Sequence, residues 1–197
     1  KPQDLPGLFP ELRAGLNRGT LIVSIAAGVK LSGLHQGLPP RTAVIRAMPN
    51  LPATVGQGMT VLAAGRYAGP AAVNKAKSLF ASVGEVWVGK ESQLDAVTAL
   101  SGSGPAYYFL LTDLLASAGV RLGLPAAMAE ALACSTAVGS GALLAGGSLS
   151  AKELVKAVAS KGGTTEAALK SFQKSGLNKA VYAAVSAAAR RSKQLGG

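Results

Sequence analysis

Titratable chemistry is scarce in this chain. One histidine, His35, and one cysteine, Cys134, stand among 197 residues, and the nine carboxylates form no close pair in an apolar setting. That argues against a Ser-His-Asp triad, a carboxylate-pair hydrolase, a disulfide framework or a metal centre. Cys134, set among Ala, Ser and Gly, reads as a small buried residue rather than a nucleophile. Four Tyr, four Phe and one Trp offer little for a base-stacking platform. The first residues lack the basic-then-apolar order of a secretory leader, and with the lone cysteine this fits a reducing cytoplasm.

What is present is apolar and basic. At 49% hydrophobic, the chain can bury a real core in one large or two small domains. Twenty basic against nine acidic residues give a net charge of +11, which favours an anionic partner: nucleic acid, a membrane surface, or an anionic cofactor or substrate. The basic residues are spread out, and the one small cluster, Arg190-Arg-Ser-Lys193, suits the end of a last helix. Nucleic acid is therefore not the expected partner. Residues 131–151 carry no charge, a length that raises a membrane span. Their bulky apolar content is only Leu132, Val138, Leu143, Leu144 and Leu149, so a helix buried between other helices is expected, with no membrane. Ala137, Gly139 and Gly141 permit close backbone approach, fitting a partner helix from a second subunit.

Organisation changes near residue 90. Before it, Thr20–Ile25, Ala43–Met48, Thr60–Ala63 and Glu85–Val88 read as buried strands, and Gly69–Phe80 as a helix with Pro70 in its first turn. Strand, helix, strand at this spacing is an α/β layer. After it the pattern is helical: Ser92–Leu100, Pro105–Leu122, Pro125–Ala145, Ala151–Ala159, Thr165–Gln173 and Leu177–Gln194, with Ser150-Ala-Lys-Glu153 as a capping box. No G-x-G-x-x-G turn joins a strand to a helix, and Gly102-Ser-Gly104 lacks the third glycine. The chain also begins with Lys, so it is expected to be a piece of a longer protein whose sheet starts upstream.

Two segments place small residues and hydroxyls where a helix begins. In Ser101-Gly-Ser-Gly-Pro105 and Ser160-Lys-Gly-Gly-Thr-Thr165, unpaired backbone N–H groups could hold a carboxylate or phosphate. The alternative for each is a plain inter-helix turn, with a serine capping the long helix in the first. Met48-Pro-Asn-Leu-Pro52 and Ala26-Ala-Gly28 follow buried strands, where open α/β sheets place ligands; a rigid connection is the bland reading.

At these residues the sequence resembles the Δ1-pyrroline-5-carboxylate reductases, which carry out the last step of proline synthesis. The matching pieces, in family order, are Lys1-Pro-Gln3, Val23–Gly28, Arg46–Asn50 with Pro52-Ala53, Asp95–Tyr107, Gly119–Pro125 and Gly162–Thr165. Two positions depart from the family pattern: Leu51 stands where a threonine is usual, and Lys161 where a proline is usual.

The resemblance implies a fold that is α/β followed by all-α. Residues 1–90 would be the rear part of a Rossmann-type domain binding NADPH or NADH, and residues 91–197 a helical substrate-binding region that intertwines with a second copy as a homodimer or larger ring. It implies that Ser160, Gly163, Thr164 and Thr165 hold the substrate carboxylate, with the Thr165 hydroxyl facing the ring nitrogen. Ser101 and Ser103 would wall the substrate pocket, and Lys1, Ala26, Ala27, Pro49 and Asn50 would line the nicotinamide side. Reducing a cyclic imine agrees with the scarcity of acids and bases: once its nitrogen is protonated, the carbon accepts hydride without an enzyme acid of unusual pKa. Rival readings are a non-catalytic dimerisation fragment and a 3-hydroxyacid dehydrogenase. The latter would rely on an interdomain lysine, and none lies between Glu91 and Ala151.

Overall fold

The computed structural model describes residues 2–196, which fall into two compact units, Lys1–Pro105 with Ala184–Gly197, and Ala106–Ala183. The first unit is built on four strands in the order β1 (Leu21–Ser24), β2 (Ala43–Met48), β3 (Gly58–Ala64) and β4 (Gly84–Val88). Pairs β1–β2 and β3–β4 are parallel and β2–β3 is antiparallel, so the sheet is mixed. The central strand β2 reads Ala-Val-Ile-Arg-Ala-Met because both of its faces are covered. Val44 joins Leu31, Leu34 and Leu38 in a core on one face, while Ile45 and Ala47 join Leu62 and Ala76 on the other. Alternation along the strand divides the two cores.

Helices α1 (Leu5–Gly15) and α2 (Leu31–Gly37) cover the first face, and α3 (Pro70–Ala81) the second. Neither α1 nor α2 is among the sequence expectations above. In α1 the residues Leu5, Phe9 and Leu12 form a helical stripe packed on the core. Arg13 fastens α1 to the end of α2, its guanidinium donating to the carbonyls of Gly37 (2.8 Å) and Gln36 (3.1 Å), a favourable place for a cation.

Entry into β4 needs glycine. Gly84 has φ +147, and a Cβ there would overlap the backbone of Gly58, its partner across the ladder. Gly84→Ala is expected to cost about 2 kcal/mol through this clash and the disfavoured dihedral. Urea denaturation would show it as a lowered midpoint at unchanged slope.

After β4 come the short helix α4 (Leu94–Val97) and a π-helical turn over Thr98–Gly102, closed by Ser103 N–H donating to the Thr98 carbonyl at 2.8 Å. Four longer helices follow: α5 (Gly104–Arg121), α6 (Ala126–Ala145), α7 (Ala151–Val158) and α8 (Thr164–Lys174), and then α9 (Leu177–Leu195). Ser150 opens α7 with the expected capping box, its N–H donating to Glu153 Oε2 (2.8 Å) and its Oγ accepting from Glu153 N (3.3 Å). The end of α9 belongs to the first unit, where Ser192 Oγ donates to Asp95 Oδ1 at 2.7 Å.

The helical unit has little core of its own. In α6 only Ala129 and Ala133 are buried, and Cys134 is exposed, contrary to the buried settings expected from sequence for the helix and the cysteine. Tyr108, Phe109, Leu110, Leu114, Leu132 and Leu143 are all exposed in the single chain. Among the described residues α6 is the one helix long and apolar enough to cross a membrane, and 11% of that window is buried.

Candidate functional site

Within the first unit, parallel pairing of β1 and β2 brings their carboxyl ends to one rim, with Ser24 opposite Arg46. The loops that follow, Ala26–Gly28 and Met48–Pro52, therefore leave the sheet side by side, where α/β proteins seat their ligands. Ala26 and Ala27 are half-buried and, with Ile25, Ile22 and Phe9, line a cavity of about 610 Å³ with mainly apolar walls. Gly28, the last residue of that candidate loop, receives the last turn of α9 through Leu195 and the Ser192 carbonyl. Lys1 lies outside the described residues.

Asn50 organises the second loop. Its Oδ1 accepts from the Met59 amide at 2.9 Å, and its Nδ2 donates to the Ser101 carbonyl (3.2 Å) and hydroxyl (3.4 Å). The carboxamide thus ties the end of β2 to the start of β3 and to the π-helical turn. The side chain of Met48 packs against Gly102 in the same place. Ser101 lies within the π turn, before α5 begins at Gly104, and accepts from Asn50. Single π turns are frequent at functional sites because they aim a carbonyl or side chain out of the helical ladder. Ser101 and Ser103 are both half-buried there, and Pro49 and Leu51 flank Asn50.

Beneath these loops lies a polar contact that the sequence did not announce. Arg46, 4% exposed in the middle of an apolar strand, directs Nη1 to Glu91 Oε1 at 3.4 Å. The same oxygen accepts from the Leu31 amide, the first of α2, at 2.5 Å. One carboxylate joins β2, α2 and the segment leading to the helices. The signal available was an arginine inside a run that otherwise reads as buried strand.

In the second unit, the Ser160–Thr165 turn leads into α8. Gly162 has φ +76, which glycine adopts without strain. At Gly163 a Cβ would sit 2.5 Å from Ser160 Oγ, an exposed hydroxyl that can rotate aside, and 3.1 Å from the Ser160 carbonyl oxygen, a tight but not forbidden fit. The Gly163 amide donates to the Ser160 carbonyl at 3.0 Å, and its carbonyl accepts the first helical bond, from Ala167 N at 3.2 Å. The amides of Thr164, Thr165 and Glu166 are then left without intrahelical acceptors at a helix start, an arrangement suited to a carboxylate. Ser160 and Thr164 are exposed; Thr165 is half-buried and lines a cavity of about 350 Å³ walled by Leu143, Leu144, Leu154, Val155, Val158 and Leu169. A hydroxyl at the rim of an apolar pocket can orient a small ring. Glu166 accepts from Gly162 N at 2.6 Å and pairs with Lys170 at 3.0 Å. The amide, and then the ammonium, hold its carboxyl below the usual range. Among the described residues no group of His, Cys, Asp and Glu could hold a metal ion.

Residues 91–195 match the family model for pyrroline-5-carboxylate reductase dimerisation. The chain is similar to the pyrroline-5-carboxylate reductase of Synechocystis sp., 45% identical over 196 residues that make up the whole chain and 73% of that protein. It is similar also to that of Mycobacterium tuberculosis, 45% identical over 192 residues, covering 89% of the chain and 65% of that protein. Among solved structures, the enzyme from Coxiella burnetii superposes over the whole chain and 73% of its own length with a TM-score of 0.92 at 34% identity. The pyrroline carboxylate reductase of Plasmodium falciparum, solved with NADP bound, covers the whole chain and 77% of its own length at TM-score 0.86 and 28% identity. With a mixed sheet followed by a matched dimerisation region, and with relatives of one name along the whole length, the chain belongs to the pyrroline-5-carboxylate reductases, a family of oxidoreductases.

Proposed function

We propose that this chain takes part in the reduction of 1-pyrroline-5-carboxylate to L-proline with NAD(P)H, in the cytoplasm and as a homodimer or larger homo-oligomer. Residues 1–90 act in this reading as the rear part of a Rossmann-type cofactor domain and residues 91–197 as the substrate-binding and dimerising part. The family match starting at residue 91 supports that division. The observation that carries the reading is the Ser160–Thr165 turn: unpaired helix-start amides for an acid, beside a threonine hydroxyl at the edge of an apolar pocket.

The rim of the sheet fits a dihydronicotinamide ring, since Ala26 and Ala27 present methyl groups to an apolar cavity of about 610 Å³ and no bulky side chain stands at those two positions. Ala26, Ala27, Pro49 and Asn50 would hold that ring, Asn50 by fixing the loop through Met59 and Ser101. When bound, the cofactor supplies the hydride that adds to the imine carbon. Ser160, Thr164 and Thr165 bind the substrate carboxylate through hydroxyls and amides, and Gly163 contributes the amide that closes the turn on the Ser160 carbonyl. The Thr165 hydroxyl oxygen accepts from the protonated ring nitrogen, whose proton is kept in the amine product. Ser101 and Ser103 serve as substrate contacts offered by the first unit. No strong acid or base is demanded of the protein; orientation and exclusion of water are.

Thr165→Ala is expected to lower kcat/KM for the imine by about 1–3 kcal/mol in transition-state stabilisation, while leaving the melting temperature nearly unchanged. Steady-state kinetics at saturating NADPH measure it; an unaltered kcat/KM would remove Thr165 from the site.

A further inference from the structure

Helix α8 begins on a glycine that offers no side chain to cap it, and a residue inside the helix reaches back to the turn before it. Glu166, in the first turn, reaches back so that Oε2 accepts from Gly162 N at 2.6 Å, while Oε1 accepts from Lys170 Nζ one turn further on at 3.0 Å. Two successive glycines give the turn more backbone freedom than other residues allow. The Gly163 amide to Ser160 carbonyl bond closes one side of it, and Glu166 closes the other.

A carboxylate in this position has a cost. It stands at the positive end of the helix, where a substrate carboxylate is also drawn, and uncompensated it would repel that ligand. Lys170 answers the charge as an i,i+4 partner. Both oxygens of Glu166 are therefore engaged away from the amides of Thr164 and Thr165.

We infer that Glu166 is a positioning residue for the substrate: by holding the Gly162 amide it fixes the turn that aims the Thr164 and Thr165 amides, and Lys170 cancels the charge that this hold brings with it. The inference rests on the reading that the Ser160–Thr165 turn grips the imine by its carboxylate. Because the carboxylate is held alike in ground and transition states, losing the hold acts on KM rather than on kcat.

The test uses the enzyme expressed from its own reading frame. Glu166→Ala raises KM for the imine carboxylate about tenfold, with kcat within about twofold and KM for NADPH unchanged. Glu166→Gln keeps an acceptor for the Gly162 amide and recovers most of that loss. Lys170→Met leaves the turn bond but exposes the substrate to an uncompensated charge, so its KM rises several-fold, and more at low ionic strength. A merely structural glutamate would lower the melting temperature and kcat together, without this split and without rescue by glutamine. A Glu166→Ala enzyme with KM within about twofold of the parent overturns the inference, as does a Glu166→Gln enzyme no better than the alanine variant. Thr165→Ala is run beside them. If it is impaired while Glu166→Ala is normal, the positioning role alone fails; if both variants are normal, the carboxylate reading fails and takes this one with it.

Discussion

Leu132→Asp yields monomers. The substitution lies in the middle of α6, on a side chain 53% exposed in the single chain, and judged from that chain alone a surface aspartate should be nearly neutral. The helical unit argues otherwise. A 20-residue helix of mostly apolar and small residues, of which only Ala129 and Ala133 are buried, cannot remain in water without cover. The match of residues 91–195 to a dimerisation region fits a second copy as the cover. A carboxylate placed on such a face desolvates a charge with no partner, at an expected loss of about 4 kcal/mol in association, close to a thousandfold in Kd. Sedimentation velocity over a concentration series reads it directly, and activity should fall with the dimer. A variant that stays dimeric would place α6 outside the interface.

Glu91→Ala is expected to destabilise the sheet unit by about 3 kcal/mol. The mutation leaves the Arg46 guanidinium, 4% exposed, without its carboxylate and removes the acceptor of the Leu31 amide. Because most of that penalty comes from the orphaned charge, it should shrink when the charge is removed as well. Arg46→Met with Glu91→Ala is therefore expected to regain more than half of the loss, a coupling that a double-mutant cycle in urea measures. Additive losses would show that Glu91 acts on α2 alone.

The parts of the fold carried by local pattern were legible in the sequence. Strand β2 and helix α3 fall where apolar runs, prolines and glycines put them, and the capping box at Ser150 marks the start of α7 to the residue. What escaped was either short or long-range. Helix α2 is only seven residues, and α1 contains Pro10, which masks a stripe that becomes evident once Leu5, Phe9 and Leu12 are seen on one core. The antiparallel β2–β3 pair was not readable because an apolar run carries no direction. At the candidate site, the Gly-Gly-Thr-Thr turn was visible as chemistry. The bonds from Asn50 to Ser101 and from Glu91 to Leu31, spanning 51 and 60 positions, were not. Burial of α6 and Cys134 is not met within the single chain: an apolar helix announces that it will be covered, and the small residues Ala137, Gly139 and Gly141 pointed to a second subunit as the cover.

The reversed direction of β3 sends the chain out of the sheet at two opposite rims. Since β3 runs against β2, its last residues and the Arg66–Gly69 bend that follows leave from the rim opposite the Ala26 and Asn50 loops. That far bend is exposed at Arg66, Tyr67 and Gly69. It is thus the natural anchorage for a dye, a tether or a grafted peptide, a handle on the molecule that leaves the proposed cofactor rim undisturbed.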